Sequence, residues 1–269
     1  MHQPGRIAAN QEERRQIAAA FTDADVARCY AARPPYAPAL YEFLLEQIPA
    51  RARALDLGCG PGKIAIQLAD HIDEVVALDP SAAMIEAGQA ADGGRHANIV
   101  WATQAAETYE SADTFDLVTA GTSVHWFEHE MLFPKLADWT RTFAIVTGDA
   151  PAPAPCGDDA WLAFAKHWIA RVGGAYDPAA STAQGNRHEA WMDIAGRQRF
   201  AFAFQQSIED FIMCQHSRAT WARHVMGDAL AAQFDSELDA LMRPCAQDGI
   251  LTLSMVSELT WGAPRRAPR

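Results

Sequence analysis

Short apolar runs alternate with amphipathic helical patterns from residue 51 to residue 149 of the chain. Segments whose apolar residues recur every three or four positions separate these runs, and such spacing is typical of helices packed on one side. The alternation predicts parallel strands joined by right-handed helical crossovers, and therefore an α/β sheet with helices on both faces. The predicted strands lie at 54–57, 75–79, 99–103, 115–120 and 143–147.

The N-terminal segment, residues 1–50, has a helical pattern without strands. Ile17, Ala20, Phe21 and Ala24 share one side of a helix predicted over 11–30. Prolines then interrupt the pattern, because their rings cannot continue a helix. A second helix is predicted between these prolines and the first strand.

The C-terminal half begins with a proline-rich stretch at 151–155, which can continue neither a helix nor a strand and therefore marks a boundary. Aromatic side chains and a loop rich in small polar residues follow it, which favours an inserted cap. The predicted segments are the core at 51–149, the cap at 150–197, a C-terminal part of the core at 198–262 and a loose tail at 263–269, with strands at 200–204 and 250–256 and helices over 208–243.

Composition narrows the class of protein. The 269 residues suit one large α/β domain with additions, and 34 acidic against 22 basic side chains give a formal net charge of −12. Such a charge repels a phosphate backbone, so we expect no nucleic-acid partner.

No apolar run has the length of a bilayer span and the first residues lack a signal-peptide core, so we expect a cytoplasmic protein without membrane attachment. Five cysteines without paired metal spacing indicate free thiols and no metal.

Asp56 lies near the end of the first predicted strand, and glycines follow it at positions 58, 60 and 62. Glycines allow a sharp turn into a helix and let a bulky ligand approach the backbone amides, while Pro61 suits a first helical turn. A dinucleotide fingerprint has the spacing G-x-G-x-x-G and an acidic residue about twenty positions later. The spacing here is G-x-G-x-G, so the sequence indicates a nucleotide-type loop of a different kind.

Around this loop the chain resembles the class I S-adenosylmethionine-dependent methyltransferases. The second predicted strand ends in Asp79, whose carboxylate can accept both ribose hydroxyls, and Ser81 is placed to cap the next helix. Gln104-Ala105-Ala106-Glu107 resembles the G-x-A-E segment of the family, with Gln104 in place of the usual glycine. The resemblance covers about residues 30–150 and includes several motifs in the family's order.

The resemblance implies a doubly wound, seven-stranded and mostly parallel sheet, the Rossmann-like methyltransferase fold, with an N-terminal helical lid and an inserted cap. It also implies that S-adenosyl-L-methionine binds at the carboxyl edge of the sheet. The residues to which it assigns cofactor binding are Tyr30, Arg33, Asp56, Gly58, Cys59, Gly60, Gly62, Asp79, Pro80, Met84, Gln104, Ala105, Ala106, Ala120 and Gly121.

The loop after the fourth strand carries the candidate catalytic residue, His125, because the pKa of a histidine ordinarily lies near the working pH of a general base. In an alternative interpretation, His125 and Trp126 only shape the pocket. Trp126 is a candidate pocket wall, and Trp221 is a further candidate for substrate contact. Arg218 suits a substrate carboxylate, or alternatively lies on a solvated helix face.

The function implied by the resemblance is in-line transfer of the sulfonium methyl group to a small molecule, by a monomer or a homodimer. Arg33-Pro34-Pro35-Tyr36 is similar to the tetrad of enzymes that methylate DNA amino groups, but Arg33 has only donors where those enzymes need an acceptor. Two alternatives stay open, namely a different reaction of the same cofactor, such as aminopropyl transfer, and a cofactor-binding partner protein without turnover.

Overall fold

The computed structural model describes residues 17–148, 150–174 and 186–269. Residues 1–16 of the predicted lid, which include the start of the helix predicted over 11–30, lie outside the described residues. So do residues 175–185 of the predicted cap. Within the described ranges, no helix combines the length and the apolar composition that crossing a membrane requires.

The described strands and helices are numbered in chain order. The strands are β1 (Arg53–Leu57), β2 (Glu74–Asp79), β3 (Ile99–Thr103), β4 (Leu117–Gly121), β5 (Phe143–Thr147), β6 (Met192–Ser207) and β7 (Ile250–Pro264). The helices are α1 (Ala24–Tyr30), α2 (Pro38–Glu46), α3 (Ala65–Ala69), α4 (Ala82–Asp92), α5 (His129–Trp139), α6 (Asp158–Arg171), α7 (Ile208–His216), α8 (Arg223–Met226) and α9 (Asp228–Met242). Single 3-10 turns include Ala106–Thr108, Val124–Trp126, Arg187–Trp191 and Ala219–Trp221.

The strands form one seven-stranded sheet in the order β3-β2-β1-β4-β5-β7-β6. The pairs β1·β2, β2·β3, β1·β4 and β4·β5 are parallel, and β7 runs antiparallel to β5. The prediction of a doubly wound, mostly parallel sheet of seven strands is therefore confirmed. The order reverses between β1 and β4, and open sheets of this kind bind ligands beyond the carboxyl ends of the strands at such a reversal.

The last two strands are longer than the sequence predicted. Strand β6 covers Met192–Ser207 instead of 200–204, and β7 continues to Pro264 instead of ending at 256. Gly196 of β6 weakens the strand pattern in the sequence, yet in the structure its lack of a side chain allows close packing. A Cβ placed on Gly196 would lie 2.4 Å from the ring of Trp261.

The tail is a correction to the sequence analysis, which expected residues 263–269 to be loose. Strand β7 includes part of it, and the backbone amides of Arg265 and Arg269 donate to the carbonyls of Trp191 and Ala190 at 2.8 and 2.9 Å. Both arginine side chains also form ion pairs with Asp193. Arg265 and Arg269 therefore bind an acidic partner on β6.

The chain divides into two compact units, each made of several separate stretches of the sequence, and the segment bounds given by the sequence stay predictions. The helical unit consists of Met1–Pro34, Asp149–Gln184 and Ala201–Val256, and the glycine-loop unit consists of Pro35–Gly148, Gly185–Phe200 and Ser257–Arg269. Of the predicted cap, residues 150–174 thus group with residues 17–34, whereas residues 186–197 group with the glycine-loop unit.

The core of the glycine-loop unit is apolar on both faces of the parallel strands, as expected when helices cover both faces. Leu55, Leu57 and Val118 from the sheet are buried with Phe133 and Leu136 of α5. Helix α4 begins with the predicted serine cap, since the hydroxyl of Ser81 accepts from the amide of Met84 at 3.2 Å. These contacts fix the strand ends that carry the candidate site.

The helical unit has its own core, in which aromatic rings dominate. Phe234 of α9 lies 5.2 Å from the ring of Trp168 and 5.3 Å from the ring of Trp221, measured between centroids. The indole of Trp168 donates to the carboxylate of Glu237 at 3.0 Å. The abundant aromatic residues near 161–168 therefore contribute to a packed core.

Candidate functional site

Asp56 is buried at the carboxyl end of β1, with 1% of its surface exposed. Its two carboxylate oxygens accept from the hydroxyl of Thr119 at 2.8 Å and from the backbone amide of Ala65 at 3.2 Å. Burial raises the pKa of Asp56 to about 7, with a small contribution from the Asp79 carboxylate, although both hydrogen bonds act in the opposite direction. Asp56 can therefore change its charge near neutral pH.

The glycine loop follows Asp56, and its three glycines have positive φ angles of 61°, 53° and 76°. These angles are in the left-handed region, which side chains with a Cβ rarely adopt. A Cβ placed on Gly58 would lie 2.8 Å from the Cβ of Ser123, and one on Gly62 would lie 2.4 Å from the ring of Trp101. Both conformation and packing therefore require glycine at positions 58 and 62.

Asp79 ends β2 beside this loop and is 8% exposed. One of its oxygens accepts from the amide of Gly60 and the other from the amide of Ser81, each at 2.9 Å. Burial raises the pKa of Asp79, while both amides lower it. A carboxylate has about four acceptor positions, so both oxygens can still accept hydrogen bonds from the hydroxyls of a sugar. The acceptor set thus fits the ribose of a nucleoside.

Cys59 lies within the loop and is buried. Its backbone amide donates to the carbonyl of Leu78 at 2.9 Å, which ties the loop to the end of β2. Burial raises the pKa of the Cys59 thiol, and the charges of Asp56 and Asp79 add to this effect. Because the thiolate is the nucleophilic form, Cys59 is suited to a structural position and not to nucleophilic chemistry.

The segment after β3 turns back towards β2. The amide of Gln104 donates to the carbonyl of Asp79 at 3.0 Å, and its side-chain amide donates to the carbonyl of Thr108, also at 3.0 Å. Ala105 accepts from the amide of Thr108, and Ala106 is buried. The glutamine that replaces the family's glycine therefore closes its own turn.

Two further predicted cofactor residues follow β2 and have different environments. Pro80 is exposed, whereas Met84 is buried with 2% exposure in the first turn of α4. Ala120 and Gly121 end β4. Ala120 is fully buried, and a Cβ on Gly121 would lie 2.7 Å from the Cδ1 of Ile64.

The loop after β4 lies against the glycine loop. The hydroxyl of Ser123 donates to the carbonyl of Leu57 at 2.8 Å. Val124–Trp126 form a 3-10 turn that carries both His125 and Trp126, whose rings lie 4.6 Å apart between centroids at 47°. The structure therefore places these two predicted residues together, on a loop bonded to the end of β1.

Tyr30 and Arg33, also predicted to bind the cofactor, belong to the helical unit. The guanidinium of Arg33 donates to the hydroxyl and the carbonyl of Ser217 at 2.7 and 2.8 Å, and to the hydroxyl of Tyr30 at 3.0 Å. Arg33 is only 7% exposed. Its described contacts thus join α1 to the end of α7, and the cofactor-binding roles of both residues stay predictions.

Arg218 and Trp221, predicted to contact substrate, also belong to the helical unit. Trp221 is 1% exposed and packs against Phe234, and its amide donates to the carbonyl of Arg218 at 3.0 Å. A ring in this position contributes to the core of its own unit. The substrate-binding roles of both residues stay predictions.

The sequence analysis missed three residues that shape the site. Thr119 anchors Asp56, Ser123 links two loops, and the ring of Trp101 fills the space beside Gly62. Thr119 could have been found, because a hydroxyl inside the apolar run of β4 needs a buried partner. Ser123 and Trp101 gave no comparable signal, since their partners are far away in the sequence.

Residues 54–143 match a family model described as a methyltransferase domain. Trans-aconitate 2-methyltransferase of Methylobacterium radiotolerans is 35% identical over 98 residues, which cover 35% of this chain and 36% of that protein. Malonyl-[acyl-carrier protein] O-methyltransferase of Enterobacter lignolyticus is 38% identical over 96 residues, which cover 32% and 34% of the two chains. The matches span about half or less of the length of these curated relatives.

Among solved structures, the chain is similar to a protein of Anaeromyxobacter dehalogenans that is provisionally described as a type II methyltransferase. The two share 23% identity with a TM-score of 0.65, over 88% of this chain and 99% of the other. At this identity the likeness establishes the fold. The family model itself ends before β6 and β7.

Proposed function

We propose that the chain transfers the methyl group of S-adenosyl-L-methionine to a small-molecule acceptor, since residues 54–143 match a methyltransferase domain and the fold is shared with a methyltransferase-like structure. The observation that carries this proposal is the pair of buried carboxylates, Asp56 and Asp79, on either side of a loop of positive-φ glycines. Both lie at the carboxyl ends of neighbouring strands, β1 and β2, and the strand order reverses at β1.

The residues of this loop fit the cofactor by the chemistry of their donors and acceptors. Asp79 would accept the two ribose hydroxyls with the lone pairs that Gly60 and Ser81 leave available. The glycines, which have no side chains, would leave room for the cofactor's methionine part, and Asp56 anchors the end of β1 beside them through Thr119 and Ala65. Ala105 and Ala106 present a small, apolar surface to the adenine.

The cofactor, when bound, supplies a methyl group on a positively charged sulfur. The protein therefore has to hold the acceptor in line with that methyl and exclude water, and positioning of this kind lowers barriers by about 7–11 kcal/mol in well-oriented reactions. His125 accepts the proton of an acceptor that carries one, and Trp126 forms a wall of the acceptor pocket. An acceptor that is already a carboxylate needs no base.

A small-molecule acceptor is supported by two independent observations. The net charge of −12 disfavours a polyanionic acceptor such as nucleic acid. In addition, one relative is named for the methylation of trans-aconitate, a small carboxylic acid, and another for the methylation of a malonyl group on an acyl-carrier protein. Small organic acids are accordingly the first acceptors to test.

The experiment is product analysis with methyl-labelled S-adenosylmethionine, full-length protein, a panel of small carboxylic acids that includes trans-aconitate, and a metabolite extract. We expect label in a small-molecule product and an equal amount of S-adenosylhomocysteine. Methylthioadenosine as the nucleoside product would instead support aminopropyl transfer. Tight binding with no label in any acceptor would support a partner protein without turnover, and either result would contradict the proposal.

A further inference from the structure

Thr122, directly after β4, has an unusual backbone conformation. Its φ is 51°, and only one other non-glycine residue among those the structure describes, Asp248, has a positive φ. A β-branched residue is disfavoured in this region, and such a conformation persists only where neighbouring contacts hold it. The contacts of Thr122 therefore indicate what the conformation is for.

Two hydrogen bonds hold Thr122 in place. Its amide donates to the carbonyl of Val146 at 2.8 Å, which extends the pairing of β4 with β5 by one residue. Its side-chain hydroxyl is hydrogen-bonded to the hydroxyl of Tyr36 at 3.0 Å. Tyr36 is 7% exposed, and its oxygen lies 3.2 Å from where a Cβ on Gly121 would be. The tyrosine hydroxyl is thus bonded to Thr122 and occupies the space beside Gly121 that a side chain would need.

The left-handed turn at Thr122 determines the direction of the loop that follows. The next residue, Ser123, bonds to the carbonyl of Leu57, and the 3-10 turn with His125 and Trp126 comes immediately afterwards. An extended conformation at Thr122 would send this loop away from the end of β1. The backbone conformation of Thr122 therefore determines where the following loop lies.

We propose that Tyr36 is a positioning residue, whose hydroxyl holds Thr122 in its left-handed conformation and so fixes the loop that carries His125 and Trp126. This inference rests on the proposed function for its catalytic meaning, because that function assigns the two rings to the acceptor pocket. The effect of Tyr36 on the conformation of the loop does not depend on that function.

The experiment labels the eight tryptophans with 5-fluorotryptophan and follows the fluorine resonance of Trp126, assigned by its loss in Trp126→Phe. In Tyr36→Phe, loss of one hydrogen bond changes the population of the left-handed turn by about tenfold. We expect the Trp126 resonance to split or shift by more than its linewidth, while the other resonances stay in place.

A rescue experiment distinguishes a positioning role of Tyr36 from a general loss of stability in Tyr36→Phe. Glycine adopts positive φ without strain, so adding Thr122→Gly to Tyr36→Phe should return the Trp126 resonance to the wild-type position. A merely structural role for Tyr36 would make the two changes additive. Thr122→Val removes the hydroxyl and keeps the β-branch, so it should reproduce the shift of Tyr36→Phe, and it serves as the primary variant should Tyr36→Phe fail to fold.

Tyr41→Phe is the matched control. Tyr41 is also 7% exposed, and its hydroxyl donates to the carbonyl of Lys63 at 3.1 Å, so the variant removes an equally buried bond elsewhere in the same unit. We expect no change in the Trp126 resonance. An unchanged resonance in both Tyr36→Phe and Thr122→Val, an equal shift in Tyr41→Phe, or no rescue by glycine would overturn the proposal. S-adenosylhomocysteine binding, measured alongside, reports on the proposed function independently.

Discussion

Ionised Asp56 should destabilise the folded protein, and Asp56→Asn tests this directly. In the fold the pKa of Asp56 is about 7, against 3.8 in a model peptide, because the carboxylate is buried. The folded state therefore binds a proton more tightly than the unfolded chain does, and stability falls as pH rises between these two values. Since one pKa unit corresponds to about 1.4 kcal/mol, the loss above neutral pH is roughly 4 kcal/mol.

The asparagine variant carries no titrating group at this position. Its amide oxygen can keep the hydrogen bond from Thr119, whereas the bond from Ala65 is lost, at a cost of about 1 kcal/mol that does not depend on pH. The difference in free energy of unfolding, variant minus wild type, should therefore rise by roughly 4 kcal/mol between about pH 4 and about pH 7.5. Urea denaturation at several pH values in this range measures it.

Asp193→Asn is the control for this measurement. Salt-bridged hydrogen bonds from Arg269 and Arg265 lower the pKa of Asp193, so its carboxylate is ionised in both states over most of the same range. The difference between this variant and wild type should then be nearly independent of pH above about 4.5. A difference for Asp56→Asn that is equally flat would refute the assignment of a raised pKa to the buried carboxylate.

Three further outcomes are expected from the same structure. Gly62→Ala should weaken S-adenosylhomocysteine binding at least tenfold and lower stability by about 1 kcal/mol or more. The reason is that the φ of Gly62 is 76° and a Cβ there would lie 2.4 Å from the ring of Trp101. Calorimetry that shows unchanged affinity would contradict this. Hydrogen bonds to the carboxylates of Asp92 and Asp70 raise the pKa of His96 in the folded protein. His96→Gln should therefore cost most stability below about pH 6.5, and progressively less as the pH rises through that folded pKa. Urea unfolding on either side of this pKa should show the smaller cost at higher pH, and a constant cost would count against it. His125→Asn should leave cofactor affinity intact and slow methyl transfer to a protonated acceptor by about 10²–10⁴-fold, and near-normal turnover in the labelling assay would remove the base assignment.

Much of the glycine-loop unit could be predicted from the sequence, because its determinants are local. The run from Asp56 to Gly62 requires positive φ angles at fixed spacing, and Ser81 forms the expected cap of α4. Five parallel strands follow from short apolar runs separated by helical patterns. Such signals lie within a few residues of one another, so one sequence is enough to detect them.

The helical unit was much harder to predict, because its contacts join distant parts of the chain. Arg33 is bonded to Ser217, and Trp168 meets Phe234 and Glu237, all separated by more than sixty residues in the sequence. The ion pairs of Arg265 and Arg269 with Asp193 likewise give no signal in the sequence of the tail itself. The same limitation hid the contact between Tyr36 and Thr122.

Calorimetric titration of S-adenosylhomocysteine into wild-type protein and into Asp79→Asn tests the central claim most directly. The account predicts one binding site per chain in the wild type. In the variant, it predicts affinity lowered about ten- to a hundredfold, because hydrogen bonds from ribose hydroxyls to a carboxylate are replaced by weaker ones to a neutral amide. No binding to wild-type protein, or equal affinity in the two proteins, would contradict it.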